Sequence, residues 1–218
     1  MKTQFKVTKI NNDIYKIQET WFKEHANFYL FGNKKESLLI DAGLGFFDIK
    51  KFLEKQGFKN IKVALTHAHF DHFGGIRHFL PSEILITKKI YKNIKDKKLI
   101  GLNYLHSKDF SKKINFPEIE KIFDHFSILA NPKNIKNIRI NKFNFKVIST
   151  PGHTDDSVAY YDKNNGILVT GDTLYAGETY FNFPNSDMKK IKLSLGKIKN
   201  LDFKIVLPGH GHILKKCG

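Results

Sequence analysis

Thr66-His67-Ala68-His69-Phe70-Asp71-His72-Phe73-Gly74-Gly75 is the stretch on which the fold of this chain turns. It follows Ile61-Lys62-Val63-Ala64-Leu65, a short apolar run of the buried-strand type. Four ligand-capable side chains within six residues cannot all face one ion from a helix or a strand. A loop with glycines at its exit can splay them, so that His67 and His69 serve one metal ion while Asp71 and His72 serve a neighbour. Imidazole and carboxylate together suit zinc, iron or manganese better than calcium or magnesium.

Three further segments place ligand residue types after strand signals: Thr150-Pro151-Gly152-His153-Thr154, Thr170-Gly171-Asp172-Thr173 and Pro208-Gly209-His210-Gly211. Loops at strand ends, positioned by a rigid sheet, are where such residues converge. His153 would complete the first site and His210 the second, with Asp172 offering one oxygen to each ion. In two-metal hydrolases the ions lie about 3.5 to 4 Å apart, and a water held between them has its pKa pulled towards about 7. The expected cofactor is therefore two divalent metal ions per chain, zinc first, with iron or manganese as substitutes.

Around these loops, alternating apolar residues in Phe5-Lys6-Val7-Thr8 and Ile14-Tyr15-Lys16-Ile17 flank an Asn11-Asn12-Asp13 turn and predict a hairpin. Strands are expected at 27–31, 37–40, 61–65, 84–86, 143–148, 158–161, 167–169 and 203–207. Helices are expected at 48–56, with Gly57 as its stop, and at 187–200, where Met188, Ile191, Leu195 and Ile198 share a face. Strand-rich halves that each carry helices predict an α/β sandwich of layers, helices outside and sheets within. The length suits one domain over 1–218. The lysine-rich segment 88–142, broken by Gly101, Pro117 and Pro132, reads as a helical insert near the active site.

Composition narrows the function classes. The formal net charge is +16, yet it is made almost wholly of lysine, with Arg77 and Arg139 the only arginines. The lysines are spread along the chain, and the accompanying excess of Asn, Ile and Phe is what an AT-rich coding sequence produces. Arginine is the residue suited to bidentate phosphate and base contacts, so no specific nucleic-acid partner is expected. A small-molecule substrate, anionic ones included, fits better. No segment approaches the roughly 18 uncharged residues of a membrane span and no signal-peptide core opens the chain, so a cytoplasmic location is expected. Cys217, the only cysteine, is read as a solvated tail thiol. His25 with Trp21 is read as packing, His212 as lying at the surface or behind the ligands, and His78, His106 and His125 as structural or solvated.

His-x-His-x-Asp-His followed in order by Gly-His, Gly-Asp and Gly-His resembles the metallo-β-lactamase superfamily over nearly the whole chain. The resemblance implies an αββα sandwich with the metals at one edge of two sheets, and Asp41 as a residue that supports the ligand loops. True β-lactamases of this fold lack an Asp matching Asp172, and flavodiiron proteins place Glu where His69 stands. What remains is the group that hydrolyses small thioesters, esters and lactones, including acyl-coenzyme A thioesterase-like members. Tyr175, three residues after Asp172, stands where such enzymes carry a tyrosine that polarises the substrate carbonyl. Asp71 would accept a proton from the attacking water. Tyr180, Phe181 and Phe183 would hold an acyl group, and the lysines would attract coenzyme A phosphates. The alternative is a mononuclear-iron persulfide dioxygenase, which shares the motif; a nuclease or a non-catalytic nucleic-acid-binding protein ranks below it.

Overall fold

A computed structural model describes residues 4–20, 26–96, 98–101, 132, 135–177 and 183–215. In the amino-terminal half the strands are β1 (Phe5–Asn11), β2 (Ile14–Glu19), β3 (Phe28–Gly32), β4 (Ser37–Ile40), β5 (Ile61–Ala64) and β6 (Ile84–Leu85). They form one sheet in that order. Strands β7 (Asn137–Ile140), β8 (Phe143–Ser149), β9 (Val158–Asp162), β10 (Ile167–Gly171), β11 (Ile205–Pro208) and β12 (Leu214–Lys215) form the second, again in chain order. The described helices are α1 (Ile49–Lys55), α2 (Phe70–Phe73), α3 (Lys88–Ile94) and α4 (Met188–Lys199).

Most neighbouring strands pair antiparallel, but β4–β5, β5–β6 and β10–β11 are parallel. A parallel pair needs a crossover connection. Helix α1 supplies it between β4 and β5, and α4 between β10 and β11. Both are capped where the sequence changes character: Asp48 accepts from the Lys51 amide at 2.8 Å, and Asp187 from Lys189 and Lys190 at 2.9 and 3.1 Å. Parallel strands end at the same edge of a sheet, so the carboxyl ends of β4, β5, β10 and β11 share one side of their sheets. Strand β8, two antiparallel steps from β10, points the same way. That edge is where Asp41, the 66–72 loop, His153, Asp172 and His210 emerge.

Strands β3, β4, β9 and β10 are buried along their whole length. Central strands covered on both faces read as continuous apolar runs. Between the sheets, the Phe31 ring meets Phe143 and Phe145 edge-on at 5.4 and 4.8 Å. Outside the second sheet, Ile198 of α4 packs with Ala159, Tyr161, Leu168 and Val206. Truncating a buried Phe of this kind to Ala typically costs about 3–5 kcal/mol. At the edge nearest the ligands the sheets are also joined by hydrogen bonds. The Val158 amide donates to Thr66 O at 2.8 Å, and the Tyr160 hydroxyl to Leu65 O at 2.6 Å.

One strand lies inside the segment read from sequence as a helical insert. Asn137–Ile140 alternates exposed and buried residues and turns through Asn141, at φ 49°, into β8. The polar Asn and Lys residues before it mask a two-residue apolar alternation too short to signal a strand alone. Within 88–142 the structure also describes α3; residues 102–131, with Tyr104, His106, Phe110, Phe116, Phe123, His125 and Phe126, lie outside the described residues, as do Trp21, His25, Tyr180, Phe181 and Cys217.

Glu19, the last residue of β2, is buried, and its Oε2 accepts from the Leu44 amide at 2.7 Å while Oε1 has no hydrogen-bond partner. Burial pushes its carboxyl up to about 7, against the pull of the Leu44, Phe47 and Gly45 amides, with Asp71 adding to the rise. A carboxyl raised on folding stabilises the fold fully below its ordinary value near 4.5, and that stability is lost as pH rises through about 7. Glu19→Gln should therefore gain on the parent between pH 5 and 8, by up to about 3 kcal/mol, as read by chemical denaturation at each pH. An unchanged difference across that window would show that the buried carboxyl does not titrate there.

Candidate metal centre

The site is assembled from the bottom by Asp41. This residue follows β4 in the left-handed region at φ 63°, a conformation that Asp tolerates better than most residues. Its Oδ1 accepts from the Thr66 amide at 2.7 Å, and its Oδ2 accepts from Thr66 Oγ1 at 2.8 Å. The same Oδ2 lies 2.9 Å from His72 Nδ1. Donor accounting then assigns the histidine tautomers. A carboxylate only accepts, so His72 Nδ1 carries the proton. The Thr66 hydroxyl has spent its proton on Asp41, so it accepts from His67 Nδ1 at 3.0 Å. Both rings are thereby turned to point Nε2 into the interior, bare on His67 and the site of the titrating proton on His72, the arrangement by which outer partners orient metal-binding histidines.

Those Nε2 atoms are buried and lack hydrogen-bond partners, as are His69 Nε2 and Asp172 Oδ1. Each buried polar atom left unmatched costs about 1–3 kcal/mol. The convergence of His67, His72 and Asp172 fits a metal ion. His69 Nδ1 and His153 Nε2 lie 2.9 Å apart, a separation at which two ring nitrogens require a shared proton or cation. Three groups of potential ligands have their donor atoms within 4.8 Å of one another: His67, His69 and His153; His67, His72 and Asp172; and Asp71, His72 and His210. All seven residues singled out as ligands from the sequence are thus in one cluster. Asp172 lies at its centre, 3.3 Å from His72 Nε2, 3.5 Å from His153 Nε2 and 3.2 Å from His210 Nε2. His212 is exposed and belongs to none of the groups. His78 is partly buried, and its Nε2 lies 3.2 Å from Gly45 O, away from the cluster.

Close packing explains the glycines beside the ligands. A Cβ on Gly209 would stand 2.1 Å from Asp172 Oδ1 and 2.8 Å from His72 Cε1. Gly171, at φ 49°, would drive a Cβ to 2.4 Å from Thr66 Oγ1.

The electrostatics divide the cluster in two. Burial lowers His69 to about 3, helped by His153, so its ring is neutral at pH 7. His67 is likewise held well below its ordinary value by burial and by His72. For His210 burial works downward, but Asp172 and Asp71 overcome it and raise the ring to about 10. His72 is raised in the same way by Asp172, Asp71 and Asp41 against its burial. Burial would lift Asp71, yet His72 and His210 hold it at about 2. Tyr175 is half-buried, its ring centroid 6.1 Å from that of His210. On the opposite flank the partly buried Phe183 ring stands 4.2 Å from the His69 ring and 5.4 Å from that of His153.

A family model described as the metallo-beta-lactamase superfamily matches residues 22–210. The chain belongs to the metallo-β-lactamase superfamily. It is a metal-binding hydrolase of that superfamily and not a true β-lactamase. It is 29% identical over 199 residues to a probable metallo-hydrolase of Methanocaldococcus jannaschii, covering 86% of this chain and 88% of that protein. It is 24% identical over 222 residues to an acyl-coenzyme A thioesterase of Gallus gallus, covering 92% and 78%. Among solved structures, TTHA1623 in a di-iron-bound form superposes with a TM-score of 0.65 at 23% identity, covering 91% of this chain and 93% of that one.

Sequence reading passed over Thr66, Asn27 and Tyr29, whose partners lie far away in the chain; the Thr-His step at the end of an apolar run was the only local signal for Thr66. Two outcomes follow from the geometry. Gly209→Ala should displace Asp172 and weaken zinc binding by about 10- to 100-fold, as loss of an orienting contact does; unchanged affinity would mean the turn yields without moving the ligand. Because His72 and His210 hold protons at pH 7 that a metal must displace, zinc uptake should release roughly two protons per chain, the number falling towards pH 10. Calorimetry in buffers of different ionisation enthalpy counts them, and a count near zero would contradict the raised values.

Proposed function

We propose that this chain is a two-metal hydrolase of small thioesters, esters or lactones, with an acyl-coenzyme A thioester as the first substrate to test. The observation that supports the reading is the way the three ligand groups share members: His67 belongs to the first and second groups and His72 to the second and third, as two neighbouring ions with Asp172 between them would require. The di-iron form of TTHA1623 and the thioesterase activity named for the Gallus gallus relative support it.

His67, His69 and His153 would hold one ion and Asp71, His72 and His210 the other, with Asp172 shared between them. When bound, such ions polarise a carbonyl as Lewis acids and bring the pKa of water towards 7. The protein's own groups do the rest. Asp41 and Thr66 keep the His72 and His67 rings from turning. Asp71, about one-fifth exposed and the more open of the two ligand carboxylates, accepts the proton of the attacking water. The Tyr175 phenol, beside His210, donates a hydrogen bond to the substrate carbonyl as charge develops on its oxygen. Phe183 shields His69 and His153 from water and offers an apolar surface to the acyl group. The excess of lysine draws anionic substrates such as the phosphates of coenzyme A.

The test is a panel of acyl-coenzyme A esters, other thioesters, lactones and a chromogenic cephalosporin, with metal content measured on the same sample. Turnover of one ester class is expected, with close to two metals per chain, and with activity lost in His69→Ala and Asp172→Ala. Tyr175→Phe should reduce kcat by about 100-fold if the phenol serves the developing oxyanion. Silence across the panel, one iron per chain and oxygen consumption with glutathione persulfide would replace the hydrolase with a dioxygenase.

A further inference from the structure

The turn that carries His210 is held from across the molecule by one side chain. Asn27, just before β3 in the first sheet, is fully buried. Its Nδ2 donates to Pro208 O and to Gly211 O, each at 3.0 Å, and its own amide donates to Gly209 O at 2.6 Å. Three of the four carbonyls of the 208–211 turn therefore end on Asn27, and the fourth belongs to His210 itself. The Asn27 amide cannot rotate out of this role, because its Oδ1 accepts from Gln18 Nε2 at 2.9 Å. The Tyr29 hydroxyl adds a second donor to Pro208 O at 2.9 Å. From the other side the Gly209 amide donates to Gly171 O at 2.8 Å.

The remaining ligands have different supports. His67 and His72 are oriented by Thr66 and Asp41. The His153 loop is tied to the start of α4, through Ser186 Oγ to His153 O at 2.6 Å and the Asp187 amide to Gly152 O at 2.8 Å. None of these bonds involves Asn27. A loop turn with glycines on both sides of its ligand has little stiffness of its own, so the position of His210 is only as definite as the clasp that holds it.

We infer that Asn27, assisted by Tyr29, is a positioning residue for His210, and that it sets the affinity of the ion held by Asp71, His72 and His210 while leaving the ion at His67, His69 and His153 unaffected. The inference rests on the two-ion reading above. It makes the two ions unequal in what they depend on: Asp41 serves a ligand of each, through Thr66 to His67 and directly to His72, but only the ion at His210 also needs the first sheet to reach across to the last strand of the ligand set.

Zinc titration calorimetry on the full chain tests this with Asn27→Asp, which keeps the volume and the bond from Gln18 but loses both donors, and with Tyr29→Phe, which removes a single donor. His210→Ala identifies which binding step belongs to its ion. Asn27→Asp should weaken that step by about 10- to 100-fold and leave the other within about twofold. Tyr29→Phe should weaken the same step by about 3- to 10-fold, and it decides the matter if the Asn27 variant does not fold. Two wild-type steps that weaken together, or that both stay put, would make Asn27 an ordinary strand-end support and overturn the assignment. A single step in the wild-type chain would instead refute the two-ion reading, and the selective role with it.

Discussion

The first ligand loop of the metal centre depends on the carboxylate of Asp41. Its two oxygens take one backbone amide, one hydroxyl and one imidazole N–H from elements that are separate in sequence: the end of β5 and the helix α2. A non-glycine residue in the left-handed region is strained by about 1–3 kcal/mol when the surroundings must hold it there. Here three charge-assisted hydrogen bonds repay that strain, and such bonds are about twice as strong as neutral ones. The orientation of two histidine rings, and with it the direction of their free nitrogens, follows from that single anchor.

The second constraint is that the ligands come from both sheets. His67, His69, Asp71 and His72 follow β5, whereas His153, Asp172 and His210 follow β8, β10 and β11. A metal centre divided in this way is only as rigid as the joint between the sheets. That joint is both apolar and polar. Phe31, Phe143 and Phe145 fill its middle, and at the edge beside the ligands the Tyr160 hydroxyl, the Val158 amide and the Asn27 side chain each cross from one sheet to the other. Buried donors and acceptors at such an edge must meet partners of fixed geometry, which specifies the alignment of the sheets in a way that non-directional apolar contacts do not.

The charge pattern of the cluster also separates binding from reactivity. Neutral, deeply buried His67 and His69 are prepared ligands, while His72 and His210 share protons with Asp71 and Asp172. The aromatic rings on the two flanks differ in kind: Phe183 offers only an apolar face beside His69, and Tyr175 offers a phenol beside His210.

The amino-acid sequence by itself determined the layered α/β class and which seven His and Asp residues the fold gathers into one cluster, because metal chemistry restricts residue identity and strand-end loops with glycine leave a local signature. It also located the starts of α1 and α4 to within one residue, and the structure turns the Asp48 and Asp187 expected there as first helical residues into the caps. What it could not decide were contacts between residues distant along the chain. Asn27 is an unremarkable polar residue before an apolar run until the fold brings it to a turn 181 residues away. Strand β7 is too short to announce itself and exists because β8 offers it a partner through the Asn141 turn. Glu19 reads as a surface carboxylate and becomes buried only when the 43–47 loop closes over it. In each case the deciding free energy comes from pairing and burial that exist only after folding, and tertiary structure alone supplies them.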